Sequence, residues 1–147
     1  MKILIRDVLL EGVTRDIVID EGCISAITGR YDGTVDRVLN GAGKAALPAL
    51  INGHTHAAMT LFRGFADDMP LRKWLQEKIW PMEAKLTPED IYWGSKLACL
   101  EMIKNGITVF NDMYWFWEAT ADAVADMGIR GLLSAVFIDG FDERRSD

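Results

Sequence analysis

From the first residues, Ile3, Ile5, Asp7 and Leu9 alternate with Lys2, Leu4, Arg6 and Val8, the period of two that predicts a strand. Asp16-Ile17-Val18-Ile19-Asp20 then meets Cys23-Ile24-Ser25-Ala26-Ile27 across Glu21-Gly22, which reads as a hairpin turn. Tyr31-Asp32-Gly33 reads as a loop, Val38-Leu39 and Ala45-Ala46-Leu47 as further short strands, and Pro48 as a boundary. Residues 1–48 are therefore expected to form a small β-module.

After Pro48 the period becomes helical between short apolar runs. Ala49-Leu50-Ile51-Asn52 predicts a strand ending at Gly53, and Leu71, Trp74, Leu75 and Ile79 mark a helical stretch to about Lys85, kinked or split by Pro81. Thr87-Pro88-Glu89-Asp90 predicts a helix start, with a capping hydroxyl, Pro at the first helical position and two acids at the positive end of the dipole. That helix should stop at Asn105-Gly106. A strand Ile107–Phe110, a helix around Glu118 to Met127 and a strand 131–138 complete the series. Apolar strands alternating with helices imply parallel βα units, so the fold class is α/β. A complete eight-unit barrel takes about 250 residues. The 99 positions of 49–147 hold about three such units, so the chain is expected to be the amino-terminal part of a longer protein, with both sheet edges open and no cap in the tail 142–147.

Half of the 147 residues are hydrophobic, which supports a packed core. A formal charge of −6, with Lys and Arg scattered, leaves no basic excess to neutralise phosphates, so nucleic acid and anionic membranes are not expected partners. Arg6 and Asp7 cut the opening apolar run short of a signal peptide, and no later run approaches the ~20 apolar residues of a bilayer span; a cytoplasmic protein is expected. Cys23 and Cys99, 76 positions apart, read as reduced thiols in the core.

The only two histidines are His54 and His56. In extended backbone, residues i and i+2 face the same way, so two imidazoles one residue apart can converge on one ion, and Gly53 before them permits a close backbone approach. Strand carboxyl ends are where α/β proteins place their sites. Two surface-loop histidines would show the same bare spacing. Asp112, read as ending the second strand, can hydrogen-bond a ligand imidazole or merely cap the next loop.

The segment Asn40-Gly41-Ala42-Gly43-Lys44-Ala45-Ala46-Leu47-Pro48-Ala49-Leu50-Ile51-Asn52-Gly53-His54-Thr55-His56 resembles the entry to the barrel in the amidohydrolase superfamily. Ala57-Ala58-Met59-Thr60-Leu61-Phe62-Arg63-Gly64, Trp74-Leu75 and Trp80-Pro81-Met82-Glu83 resemble its branch of 5-methylthioadenosine/S-adenosylhomocysteine deaminases and triazine chlorohydrolases. The resemblance implies a small β-sandwich module (1–48, part of a composite domain) before the first units of an incomplete metal-dependent (β/α)8 TIM barrel (49–147). It implies His54 and His56 as ligands of a divalent metal, zinc or alternatively iron, with the remaining ligands and the acid/base groups beyond residue 147, so that no catalytic residue falls within the chain. Glu83 stands where nucleoside-deaminating relatives grip the ribose hydroxyls, although a solvated helix-end acid reads the same. Trp74 resembles a residue packing on the substrate, or is core. The implied activity is hydrolytic deamination of a purine nucleoside with release of ammonia, by a homo-oligomer when full length and not by this chain alone. A guanine, cytosine or halotriazine substrate, and an inactive truncated interaction module, are the alternatives.

Overall fold

The computed structural model describes residues 1–137, which fall into two compact units, Met1–Pro48 and Ala49 onward. The first is a four-stranded sheet in the order β3-β2-β1-β4, from β1 (Lys2–Leu10), β2 (Val13–Asp20), β3 (Cys23–Thr28) and β4 (Arg37–Asn40). Two turns make it. Glu21-Gly22 joins β2 to β3 with φ of 48° and 79°, and Glu11-Gly12 joins β1 to β2 with 49° and 82°. Positive φ at both central residues matches the right-handed twist of antiparallel strands, and glycine at the second adopts it without strain. β4 runs parallel to β1.

The pairing of β1 with β2 is interrupted between Ile5 and Val8, where Asp7 takes φ 57° and the register shifts; Leu4 and Val8, four residues apart, are buried and Leu9 is exposed. Asp16, fully buried, closes this bulge: its carboxylate accepts the Asp7 N–H at 3.0 Å and the Tyr31 N–H at 2.9 Å, with Arg6 Nη1 at 3.7 Å. Burial alone would raise the Asp16 pKa, but these N–H donors and the charges of Arg6 and Arg30 outweigh it and hold the carboxyl below its ordinary value. Two expectations need correction. Residues 45–47 form only a bridge of Ala45 to Leu9, because Leu9 bonds Lys44 and Ala46 and Pro48 offers no donor to extend the ladder. Cys23 is exposed rather than in the core, as the first residue of an edge strand; Cys99 is buried.

The second unit carries a parallel sheet in the order β5-β6-β7: β5 (Leu50–Thr55), β6 (Ile107–Tyr114) and β7 (Arg130–Ala135). Between β5 and β6 lie a 3-10 helix (Ala57–Phe62), α1 (Leu71–Trp74), a π-helical turn (Leu75–Ile79), α2 (Trp80–Glu83) and α3 (Pro88–Lys104); α4 (Trp117–Met127) precedes β7. α3 begins on a capping box, the Thr87 hydroxyl accepting the Asp90 N–H and the Asp90 carboxylate accepting the Thr87 N–H. Phe110 packs on Ala98, Cys99 and Met102 of α3. The opposite sheet face is bare, with Ile51 73% and Leu132 61% exposed.

Four boundaries differ from expectation. β5 passes through Gly53 to Thr55, and β6 runs past Phe110 to Tyr114, because each is laddered to a parallel neighbour. Hydrogen bonding to β5 on one side and β7 on the other overrides the turn preference of Asn111-Asp112. Of the kink or split expected at Pro81, the split is not seen: the helical run Leu71–Glu83, two residues shorter than expected, continues through it, because the π turn just before it widens the coil where proline's ring would meet a carbonyl one α-turn back. The third strand, expected over 131–138, spans Arg130–Ala135: its ladder ends where β6 ends, at Tyr114 opposite Ala135, and Val136 and Phe137 lie past it. Ile138 and the tail 142–147 lie outside the described residues.

Candidate metal and ligand site

β5 carries His54 as its penultimate residue, and His56 follows the strand directly. Their rings lie edge to face with centroids 5.0 Å apart. β6 fixes both: Asn111 Nδ2 donates to the Gly53 carbonyl at 3.3 Å, and His56 Nδ1 lies 2.8 Å from the Met113 carbonyl. A carbonyl only accepts, so Nδ1 carries the proton and the lone pair sits on Nε2, the arrangement a metal-binding imidazole requires. Among the described residues no group of three His, Cys, Asp or Glu side chains is placed to hold a metal ion. The donor set therefore fits two arms of a metal site and needs further ligands to complete one.

Asp112 lies inside β6 rather than at its end, and is 3% exposed. Its Oδ1 accepts the Ala57 N–H at 3.1 Å, so it anchors the backbone next to His56 rather than bonding that imidazole, whose Nδ1 is on the Met113 carbonyl, or capping a loop. Burial pushes its carboxyl above the usual range, opposed by the Ala57 N–H and by the charges of His56 and His54. From the far side α3 presses on the same segment. Thr60 donates its hydroxyl to the Gly94 carbonyl at 2.7 Å, and Gly94 approaches so closely that a Cβ there would stand 2.7 Å from the Ala58 carbonyl oxygen.

His56, Trp74 and Glu83 line one largely apolar cleft of about 370 Å³. Glu83 is not a solvated helix-end acid: at 7% exposure it accepts the Tyr114 O–H at 2.7 Å on Oε1 and the Trp115 N–H at 3.4 Å on Oε2. Tyr114 also lies against His56, ring centroids 5.9 Å apart. Neither aromatic was singled out from the sequence; their place two and three residues after Asp112, at and just past a strand's carboxyl end, was the available signal. A second cleft of about 500 Å³ shares His56 but is crossed by the paired Arg63 and Glu101.

Residues 45–147 match the family model described as the amidohydrolase family. The chain belongs to that family. Among amidohydrolases and their relatives, it is 56% identical over 124 residues to a 5'-deoxyadenosine deaminase of Methanoregula boonei, covering 84% of this chain and 28% of the relative. It is 62% identical over 107 residues to a 5-methylthioadenosine/S-adenosylhomocysteine deaminase of Halothermothrix orenii, covering 73% of this chain and 25% of that protein. An adenosine deaminase from Xanthomonas campestris, solved with bound zinc, superposes with a TM-score of 0.81 at 34% identity over 88% of this chain and 33% of its own. An atrazine chlorohydrolase from Arthrobacter aurescens TC1, complexed with zinc, gives 0.80 at 26% identity over 97% and 39%. This amidohydrolase chain thus spans about a third or less of the length of these curated relatives.

Proposed function

We propose that this chain supplies the first metal-binding arm and the ribose-gripping wall of a zinc-dependent purine-nucleoside deaminase. The observation that carries the reading is the shared cleft, in which one wall offers an imidazole with its Nε2 lone pair available and another a buried carboxylate held by two donors. Residues 49–147 are read as the first βα units of a (β/α)8 barrel whose interior is lined by the bare sheet face, and 1–48 as part of a β-sandwich. His54 and His56 would hold the ion, which supplies Lewis acidity and a water nucleophile at neutral pH when bound. Asp112 keeps His56 in place through Ala57. Glu83 accepts two ribose hydroxyls, and Trp74 covers an apolar face of the ligand, excluding water. The relatives' names for adenosine-type deaminases and the zinc in both solved neighbours support this assignment.

The test is a panel of purine and pyrimidine bases and nucleosides assayed for ammonia release by the complete gene product, with metal content measured on the same sample. Adenosine-type nucleosides should be preferred, and His54→Ala or His56→Ala should remove most bound metal and nearly all turnover. Stoichiometric metal in the double variant would refute the ligand assignment, and preference for a free base or a halotriazine would refute the substrate class.

A further inference from the structure

Glu83 ends α2, and a glutamate carboxylate turns easily about its last torsion, a broad, roughly two-fold well. To grip a vicinal diol, both oxygens must face the ligand in one fixed plane. The plane is set from β6. Tyr114 is 5% exposed, its ring packed with Ala58, Ile91 and Ala119, and its hydroxyl donates to Oε1 at 2.7 Å; the half-buried Trp115 indole donates to Oε2 at 3.4 Å. These two donors, one on each oxygen and from adjacent residues of one backbone, restrict that rotation. The same stretch holds the histidine wall: Asp112 accepts from Ala57 and the Met113 carbonyl accepts from His56. Four consecutive residues, 112–115, therefore set the spacing between the imidazole and the carboxylate, which is the length a bound nucleoside must match.

We propose that Tyr114 and Trp115 are positioning residues that orient Glu83 for a ribose diol and so determine the preference for ribonucleosides over substrates lacking the two hydroxyls. The inference rests on the nucleoside reading above and adds to it two side chains that line the same cleft and act on the diol through Glu83.

The experiment uses metal-stripped complete protein, in which no turnover intervenes, and measures binding of adenosine and of 2′,3′-dideoxyadenosine by calorimetry. Tyr114→Phe keeps the packed ring and removes only the hydroxyl. It should weaken adenosine about tenfold, the loss of one charge-assisted bond, and leave the dideoxy compound within about twofold. Trp115→Phe should follow the same pattern with a smaller loss, about threefold, as its longer bond implies. Adding Tyr114→Phe to Glu83→Gln should produce no further loss of adenosine affinity if the hydroxyl serves the diol through Glu83. A merely structural tyrosine would weaken both probes equally and add to Glu83→Gln, and either result overturns the proposal. Discrimination that is present in the wild type, abolished by Glu83→Gln and intact in Tyr114→Phe would overturn the proposal alone. Absence of discrimination in the wild type would overturn the nucleoside reading and this inference with it.

Discussion

Replacing Asp112 separates its geometric role from its charge. Its Oδ1 holds the Ala57 N–H at 3.1 Å in a site 3% exposed, and Ala57 directly follows His56. Asp112→Asn retains a carbonyl acceptor at that place, whereas Asp112→Ala leaves a buried N–H unpaired, a loss of about 1–3 kcal/mol. Since 1.4 kcal/mol is tenfold in an equilibrium, protection of the Ala57 amide against hydrogen exchange should fall by about one to two decades in Asp112→Ala. In Asp112→Asn it should stay near the wild-type value. Zinc affinity, read by competition with a chromophoric chelator, should fall about 10–100-fold in both, the usual effect of losing a group that supports a ligand. The two readouts distinguish the roles: Asn loses affinity through charge alone, Ala through charge and anchoring. An Ala57 amide equally protected in Asp112→Ala would show that the carboxylate does not hold this backbone, and the account of how His56 is placed would fail.

Two further outcomes follow from other parts of the chain. Asp16, held below its ordinary pKa, stabilises the four-stranded sheet at pH above its unfolded value of about 3.9 and loses that contribution as pH falls through the folded one; the Asp7 and Tyr31 amides should deprotect together on acidification, and Asp16→Asn should abolish that pH dependence. Gly94→Ala gains about 1 kcal/mol of helix propensity but drives a methyl to 2.7 Å from the Ala58 oxygen, an overpacking of about 1–3 kcal/mol; it should lower the melting temperature and loosen the turn after His56, and a raised melting temperature would refute the close contact.

Features written in adjacent residues were legible. Thr87, Pro88 and Asp90 announce the start of α3 because a cap needs only its own four residues, and Glu21-Gly22 announces its hairpin for the same reason. Glu11-Gly12 has the same chemistry and the same place between two strands, and was equally legible although not singled out. Strand ends were the weak point. Gly53 and Asn111-Asp112 punctuate a chain in isolation, yet parallel neighbours carry the ladder across them. At the site, the histidine pair was visible as spacing. The partners of Glu83 stand 31 and 32 residues away along the chain, a relation no local pattern encodes.

The π turn at Leu75–Ile79 bears on how this segment can diverge. Nine residues separate Trp74 from Glu83, and at about 100° each an unbroken α-helix would rotate them by two and a half turns, onto opposite sides. Both nevertheless line one cleft, with the wide turn between them taking up the phase. Its Gln76, Glu77 and Lys78 are exposed, so their identities are unconstrained by packing. The wide turn acts as one extra residue: with one of the three deleted, eight steps of an unbroken α-helix turn by about 800°, which leaves Trp74 and Glu83 about 80° apart. Related chains can therefore vary freely in the letters at these positions, and can keep both residues on one cleft either with the wide turn or with one residue fewer and a regular α-helix.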